Sequence, residues 1–158
     1  MAEVRVGLGF DSHARDPNRP LTLAGARFDG EAGLAGHSDA DVVCHALADA
    51  LFGAAALGDL GAHFPEEDQA FADLAGLELL ARSVAAVRAE GLAPESCDLV
   101  VVAERPVIAD KREVMRANIA GALGVDVSRV SLKATRPEGL SLSGEGAACF
   151  AVAVLGYT

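Results

Sequence analysis

Val4, Val6, Leu8 and Phe10 alternate with Arg5, Gly7 and Gly9 at the start of the chain. A period of two is the signature of a strand, so residues 3–10 are predicted to form one. The polar stretch Ala14-Arg15-Asp16-Pro17-Asn18-Arg19-Pro20 predicts a loop, and residues 21–28 read as a second strand. A glycine-rich stretch then leads to Gly36-His37-Ser38-Asp39-Ala40-Asp41. Over residues 39–57, Ala, Leu and Val recur at helical spacing, with Ser38 as the expected N-cap and Asp41 three residues on as a variant capping box. Residues 58–68 break that helix as a loop with room for a short helix. Residues 73–90 are amphipathic and stop at Gly91, a helix C-terminal signal. Residues 97–103 read as a buried strand stopped by Pro106, residues 109–123 as a helix ending at Gly124, and 129–135 and 147–155 as closing strands. The order predicts an α/β protein, specifically an α+β two-layer sandwich. Its mixed sheet has about four strands, with helices on one face and an extra hairpin. No repeat or linker interrupts it, so a single domain over 1–158 is expected.

Composition narrows the functional classes. Hydrophobic residues make up 51% of the chain, enough for a real core. The formal charge is −10, which argues against nucleic acid and anionic membranes as partners, since both call for a basic face. An acidic protein that binds phosphates must neutralise them locally, with metal ions or backbone N–H groups. Cys44, Cys97 and Cys149 sit in separate apolar runs with no C-x-x-C, and so read as buried, reduced thiols. With no stretch long and apolar enough to span a membrane and a strand beginning almost at once, the expected location is cytoplasmic.

Candidate chemistry lies in four places. In an extended Asp11-Ser12-His13, side chains two apart share a face, so the Asp11 carboxylate and the His13 imidazole can converge on a metal. Asp41, His45 and Asp49 fall at i, i+4 and i+8 along one face of the predicted helix. The rest of that helix is apolar, so this polar stripe is expected to line a cleft or interface, with His45 as a third ligand and an acid orienting an imidazole. Three protein ligands leave one position open on a tetrahedral zinc, the catalytic pattern. Gly36-His37-Ser38, where the helix is expected to begin, offers N–H groups and a helix dipole to an anion. Finally, Lys133-Ala134-Thr135-Arg136-Pro137-Glu138 ends a predicted strand with groups suited to phosphate, and Glu138 to a hard ion.

Taken together, G-L-G-F-D-S-H (7–13), G-L-A-G-H-S-D-A-D-V (33–42), H-A-L-A-D-A-L-F-G-A-A-A-L-G-D-L-G (45–61) and F-P-E-E-D (64–68) resemble the 2-C-methyl-D-erythritol 2,4-cyclodiphosphate synthases, over essentially the whole chain. The resemblance implies a homotrimer with its sheets facing inward and active sites between subunits. It implies a cytidine diphosphate substrate whose 2-phosphate attacks the β-phosphorus and expels CMP. Carried over by position, Asp11, His13 and His45 would bind zinc and Glu138 a magnesium or manganese ion. His37 and Arg136 would be catalytic, with Ser38 beside the phosphates, and Asp41, Asp49, Lys133, Thr135 and Leu142 would be substrate-binding. Asp59, Leu60, Gly61, Phe64, Pro65 and Asp68 would hold the methylerythritol end. Ala103, Pro106, Val107 and Ala109 would form the cytosine pocket.

The chain departs from the family pattern at three points. Arg136 stands where a threonine is usual, Val107 where a lysine is usual, and Ser143-Gly144-Glu145-Gly146 stands, shortened, where a G-R-G-E-G loop is usual. The lost loop arginine removes the expectation of an isoprenoid diphosphate in the trimer channel. The same metal and phosphate features would also serve a metal-dependent phosphodiesterase or phosphohydrolase, or a non-catalytic trimeric metal-binding module.

Overall fold

The computed structural model describes residues 3–140 and 145–158. The first strand, β1 (Val4–Asp16), runs six residues past its predicted end and carries Asp11 and His13 inside it. It continues because it is paired throughout with β7 (Gly146–Tyr157), antiparallel, from Val4 opposite Gly156 to Ala14 opposite Gly146. The predicted second strand is instead a tight hairpin of β2 (Leu21–Leu23) and β3 (Ala26–Phe28). Ala24 and Gly25, with φ of 47° and 70°, make its two-residue turn. The two-residue β4 (Gly33–Leu34) pairs with the end of β1.

Three long helices follow the expected order: α1 (Val42–Ala55), α3 (Gly76–Ala89) and α4 (Arg112–Leu123), with the single turn α2 (Leu60–His63) between the first two. Both β5 (Leu92–Val102) and β6 (Val130–Thr135) join the sheet, whose order is β4-β1-β7-β5-β6. Five strands thus replace the expected four, the fifth being the short β4. The pairing is mixed: β5 and β6 are parallel, linked through α4, and the others are antiparallel.

The helices cover one face of the sheet. Helix α1 lies on β1 and β7 and buries nearly every side chain, including Leu47, Leu51 and Phe52. It comes so close because β1 meets Ala46, Ala50 and Ala54 with glycine. A Cβ on Gly7 would stand 2.0 Å from the Ala50 carbonyl oxygen, and one on Gly9 2.0 Å from that of Ala46. The apolar alternation of β1 therefore faces the other way. Val4, Val6, Leu8 and Phe10 lie on the uncovered face, Leu8 at 69% exposure, alongside Phe150 of β7, whose ring centroid is 4.7 Å from that of Phe10.

The helix start differs from the sequence reading. Asp41, not Ser38, is the N-cap of α1, because its carboxylate is fully buried among N–H groups. Oδ1 accepts from the Cys44 N–H at 3.2 Å and the Ala24 N–H at 2.8 Å, and Oδ2 accepts from the Gly25 N–H at 2.8 Å. One side chain thus caps the helix and ties down the hairpin turn. Cys44, Cys97 and Cys149 are free and buried, as read from the sequence, and burial pushes the Cys97 thiol up to about 12. No helix among the described residues is long and apolar enough to cross a membrane.

Candidate metal centre and substrate clefts

Strand β1 places Asp11 and His13 on the same side as Gly7 and Gly9, facing α1. Because α1 sits against those glycines, His45 in its first turn meets them. One ligand atom from each of Asp11, His13 and His45 lies within 4.8 Å of the other two. Asp11 Oδ2 is the hub, 2.8 Å from His13 Nε2 and 3.2 Å from His45 Nδ1.

The far ring nitrogens are held as well. His13 Nδ1 donates to the Ala35 carbonyl at 2.6 Å, and His45 Nε2 lies 3.2 Å from Ser38 Oγ. A carbonyl only accepts, so Nδ1 of His13 carries the proton, and in the neutral ring Nε2 presents a lone pair toward the Asp11 carboxylate. Two such groups face each other stably only with a cation between them, whether a proton or a metal. Without a metal the proton takes that place. The Asp11 hydrogen bond raises the His13 imidazole above its ordinary range, against the effect of burial. Burial would raise the Asp11 carboxyl, but hydrogen bonds from His13 and His45 outweigh it and bring it down to about 2. One carboxylate and two imidazoles with fixed far nitrogens fit a divalent metal of the zinc type.

This triad forms the floor of a cleft of about 180 Å³. The same cleft is lined by His37 and Ser38 on one side and by Leu60, Gly61, Phe64, Pro65 and Asp68 on the other. Gly36, His37 and Ser38 precede α1 instead of beginning it, and the Asp41 carboxylate caps the helix through the Cys44 N–H. The anion site read from a helix N-terminus is therefore absent here. What shapes the loop is Arg19, whose guanidinium donates to the carbonyls of Gly36 and Ser38. Nothing in the local sequence marks Arg19 for this, because the contact spans 17 residues.

The stripe on α1 divides its tasks. Only His45 reaches the cleft, whereas Asp41 is the buried cap. Asp49 Oδ1 accepts from the Leu60 N–H at 3.0 Å and so holds the loop at its entry to α2. Asp59 caps α2 through the Ala62 N–H at 2.9 Å and does not line the cleft. His63 stacks on Phe52 with centroids 3.9 Å apart and donates through Nε2 to the Leu57 carbonyl. These bonds fix the 58–64 turn beside the Asp11, His13 and His45 triad. Glu66, Phe71, Ala72 and Leu79 also line the cleft and were missed; Leu79 looks like any buried helix residue in sequence.

A second cleft of about 190 Å³ gathers Ala103, Pro106, Val107 and Ala109 with Thr135 and Arg136. It shares no residue with the first. Lys133 lines neither, because its ammonium is paired with Asp98 on β5 at 2.5 Å. Glu138 is exposed in a turn closed by the Leu140 N–H to the Pro137 carbonyl, with φ of 50°, and borders neither cleft. Leu142 lies outside the described residues.

Comparison with known proteins agrees with this arrangement. The model of the YgbB family matches residues 4–156. A 2-C-methyl-D-erythritol 2,4-cyclodiphosphate synthase of Symbiobacterium thermophilum is 49% identical, covering 95% of this chain and 97% of that protein. The bifunctional IspDF from Campylobacter jejuni superposes with a TM-score of 0.94 at 39% identity, covering 100% of this chain and 43% of that one. A 2C-methyl-D-erythritol-2,4-cyclodiphosphate synthase in a CDP-bound form superposes with a TM-score of 0.88 at 32% identity, covering 96% of this chain and 99% of that one.

Proposed function

The chain belongs to the YgbB family, and from that premise we propose that it converts 4-diphosphocytidyl-2-C-methyl-D-erythritol 2-phosphate to 2-C-methyl-D-erythritol 2,4-cyclodiphosphate with release of CMP. The observation that carries the reading is the convergence of Asp11, His13 and His45 on the floor of a cleft walled by His37, Ser38 and the 60–68 loop. An oxygen of the 2-phosphate attacks the β-phosphorus and a new P–O bond closes the ring. The bond from the β-phosphorus to the bridging oxygen breaks, and that oxygen leaves with its electron pair on CMP. No water is consumed. Catalysis of such a transfer is mostly positioning and charge neutralisation.

A chain of net charge −10 must supply that neutralisation locally. Asp11, His13 and His45 support a divalent metal, which we take to be zinc. When bound, it would supply positive charge to phosphate oxygens. Glu138 is proposed to hold a magnesium or manganese ion. In this reading His37 and Ser38 donate to the phosphates, and Leu60, Gly61, Phe64, Pro65 and Asp68 enclose the methylerythritol end. Thr135 and Arg136 take phosphate oxygens. The Ala103–Ala109 backbone takes the cytosine, in keeping with the CDP-bound relative. Two features support a homotrimer. The sheet leaves Val4, Val6, Leu8 and Phe10 uncovered, and the two clefts of one chain are separate, so a substrate can span one cleft from each of two copies. Three free thiols agree with a reducing compartment such as the cytoplasm, and the single buried core cluster with one domain.

Incubation with the cytidine diphosphate substrate tests the reading. Phosphorus NMR should show the cyclic diphosphate, with CMP released in equal amount. A linear bisphosphate in its place would assign the cleft to a hydrolase. His45→Ala should abolish metal binding while the fold persists, and an unchanged metal content would refute the ligand set.

A further inference from the structure

The second cleft is short of visible cations on its loop wall. Between Ala103 and Ala109 its only charged side chain is Glu104, and Val107 is apolar. Positive charge enters from elsewhere: Arg136 at the end of β6, and Arg112, the first residue of α4. Arg112 is badly placed for stability. Together with Lys111 it puts two cations at a helix N-terminus, where the dipole disfavours them; the first-turn acid, Glu113, is paired with Arg116, and no side chain caps that end. Its Nε is also buried without a hydrogen-bond partner, alone in this among the described residues. A buried donor left unmade costs desolvation with nothing in return, and the usual explanation is a missing partner. Arg112 lines this cleft and also the groove of Ser96, Arg116 and Arg129 beside it, and of the two the cleft is the one that holds Arg136 as a second cation for an anionic partner.

We propose that Arg112 binds the diphosphate of the nucleoside ligand, working with Arg136, which lines the same cleft. A guanidinium offers several donors in a planar fork suited to phosphate oxygens. Held partly buried at a helix start, it is preorganised for an anion and unsatisfied without one. This assignment rests on the nucleotide reading of the cleft given above.

Calorimetric titration of the metal-loaded protein with CDP and with cytidine tests it. Arg112→Met keeps the apolar stem and removes the donors. It should weaken CDP by about tenfold to a hundredfold, the loss of charge-assisted hydrogen bonds, and leave cytidine within about twofold. Arg112→Lys should recover part of the CDP affinity. Without ligand, Arg112→Met should melt at or above the wild-type temperature, since an unsatisfied donor has gone. Arg129→Gln, in the groove next to the cleft but not lining it, should leave CDP affinity unchanged. Unaltered CDP affinity in Arg112→Met would overturn the assignment. So would equal losses for CDP and cytidine, or a loss in Arg129→Gln as large as in Arg112→Met. Wild-type protein that binds neither CDP nor cytidine would overturn the nucleotide reading itself, and the Arg112 assignment with it.

Discussion

Asp41→Ala separates a structural role from a substrate-binding one. The Asp41 carboxylate is fully buried and accepts three backbone N–H groups, from Ala24, Gly25 and Cys44. Removing it leaves the N–H groups of Ala24 and Cys44 buried without partners, because both residues are fully buried. Each such orphan costs about 1–3 kcal/mol, and the Cys44 bond is also the helix cap. Gly25 is exposed, so water replaces its bond. Against this, the variant no longer buries a carboxylate, whose burial beside Asp39 pushes its pKa above the usual range. The net loss should be about 3 kcal/mol, or roughly 6–12 °C in Tm for a chain of this length. Asp41→Asn should lose less, because an amide oxygen in place of Oδ1 keeps two of the three bonds, while the amide N–H₂ meets the Gly25 N–H. Thermal and urea unfolding at fixed protein concentration would measure both. Asp41→Ala protein that melts like wild type but shows a raised KM would refute the reasoning and return Asp41 to the substrate.

Two further predictions follow from the close packing and from the triad. Gly9→Ala should push α1 off the sheet, since its Cβ would stand 2.0 Å from the Ala46 carbonyl oxygen and 2.6 Å from the Ala50 nitrogen. It should cost about 3 kcal/mol and weaken metal binding, because His45 precedes Ala46; chelator competition that finds wild-type affinity would show that α1 does not set the His45 position. The pH dependence should differ between metal-free and metal-loaded protein. Asp11, held at about 2 against an ordinary 3.8, contributes stability above pH 3.8 and loses it as pH falls through about 2. His13, raised above 6.5, contributes fully below pH 6.5 and loses that contribution as pH rises through its raised value. The metal-free pair therefore stabilises most between pH 3.8 and 6.5. A metal needs the neutral imidazole and competes with the proton, so the Tm gain from added zinc should grow as pH rises through 6.5. A gain independent of pH across that range would show that His13 is not a ligand.

How much was legible in the sequence varies with how local the cause is. The three long helices and the order of strands followed from periodicity and end signals, since those record contacts within a few residues. The candidate metal triad was legible for the same reason: a D-x-H pair on a strand and a histidine on an apolar helix carry their chemistry in residue type and local spacing. The family resemblance added the substrate, which spacing alone leaves open. Helix starts and side-chain duties were another matter. Ser38 and Asp41 both suit a cap, and only the hairpin turn at Ala24 and Gly25, 17 residues or so away, decides for Asp41. Asp49 and Asp59 look like substrate carboxylates in sequence, yet backbone N–H groups of the 58–64 turn claim them.

The chain by itself determined the three long helices, the main strands, the candidate ligand types and the glycines of β1. Tertiary structure decided which side of β1 is the core, because Gly7 and Gly9 admit a helix backbone where Val4, Val6, Leu8 and Phe10 would hold it off. It also decided that Asp11, His13 and His45 and the 103–109 wall lie in separate clefts, and that Arg112 lines the second of them with a buried donor unsatisfied. Such facts depend on packing between elements distant in sequence. Residue type tells what a group can bond, but only the packed chain determines what stands next to it.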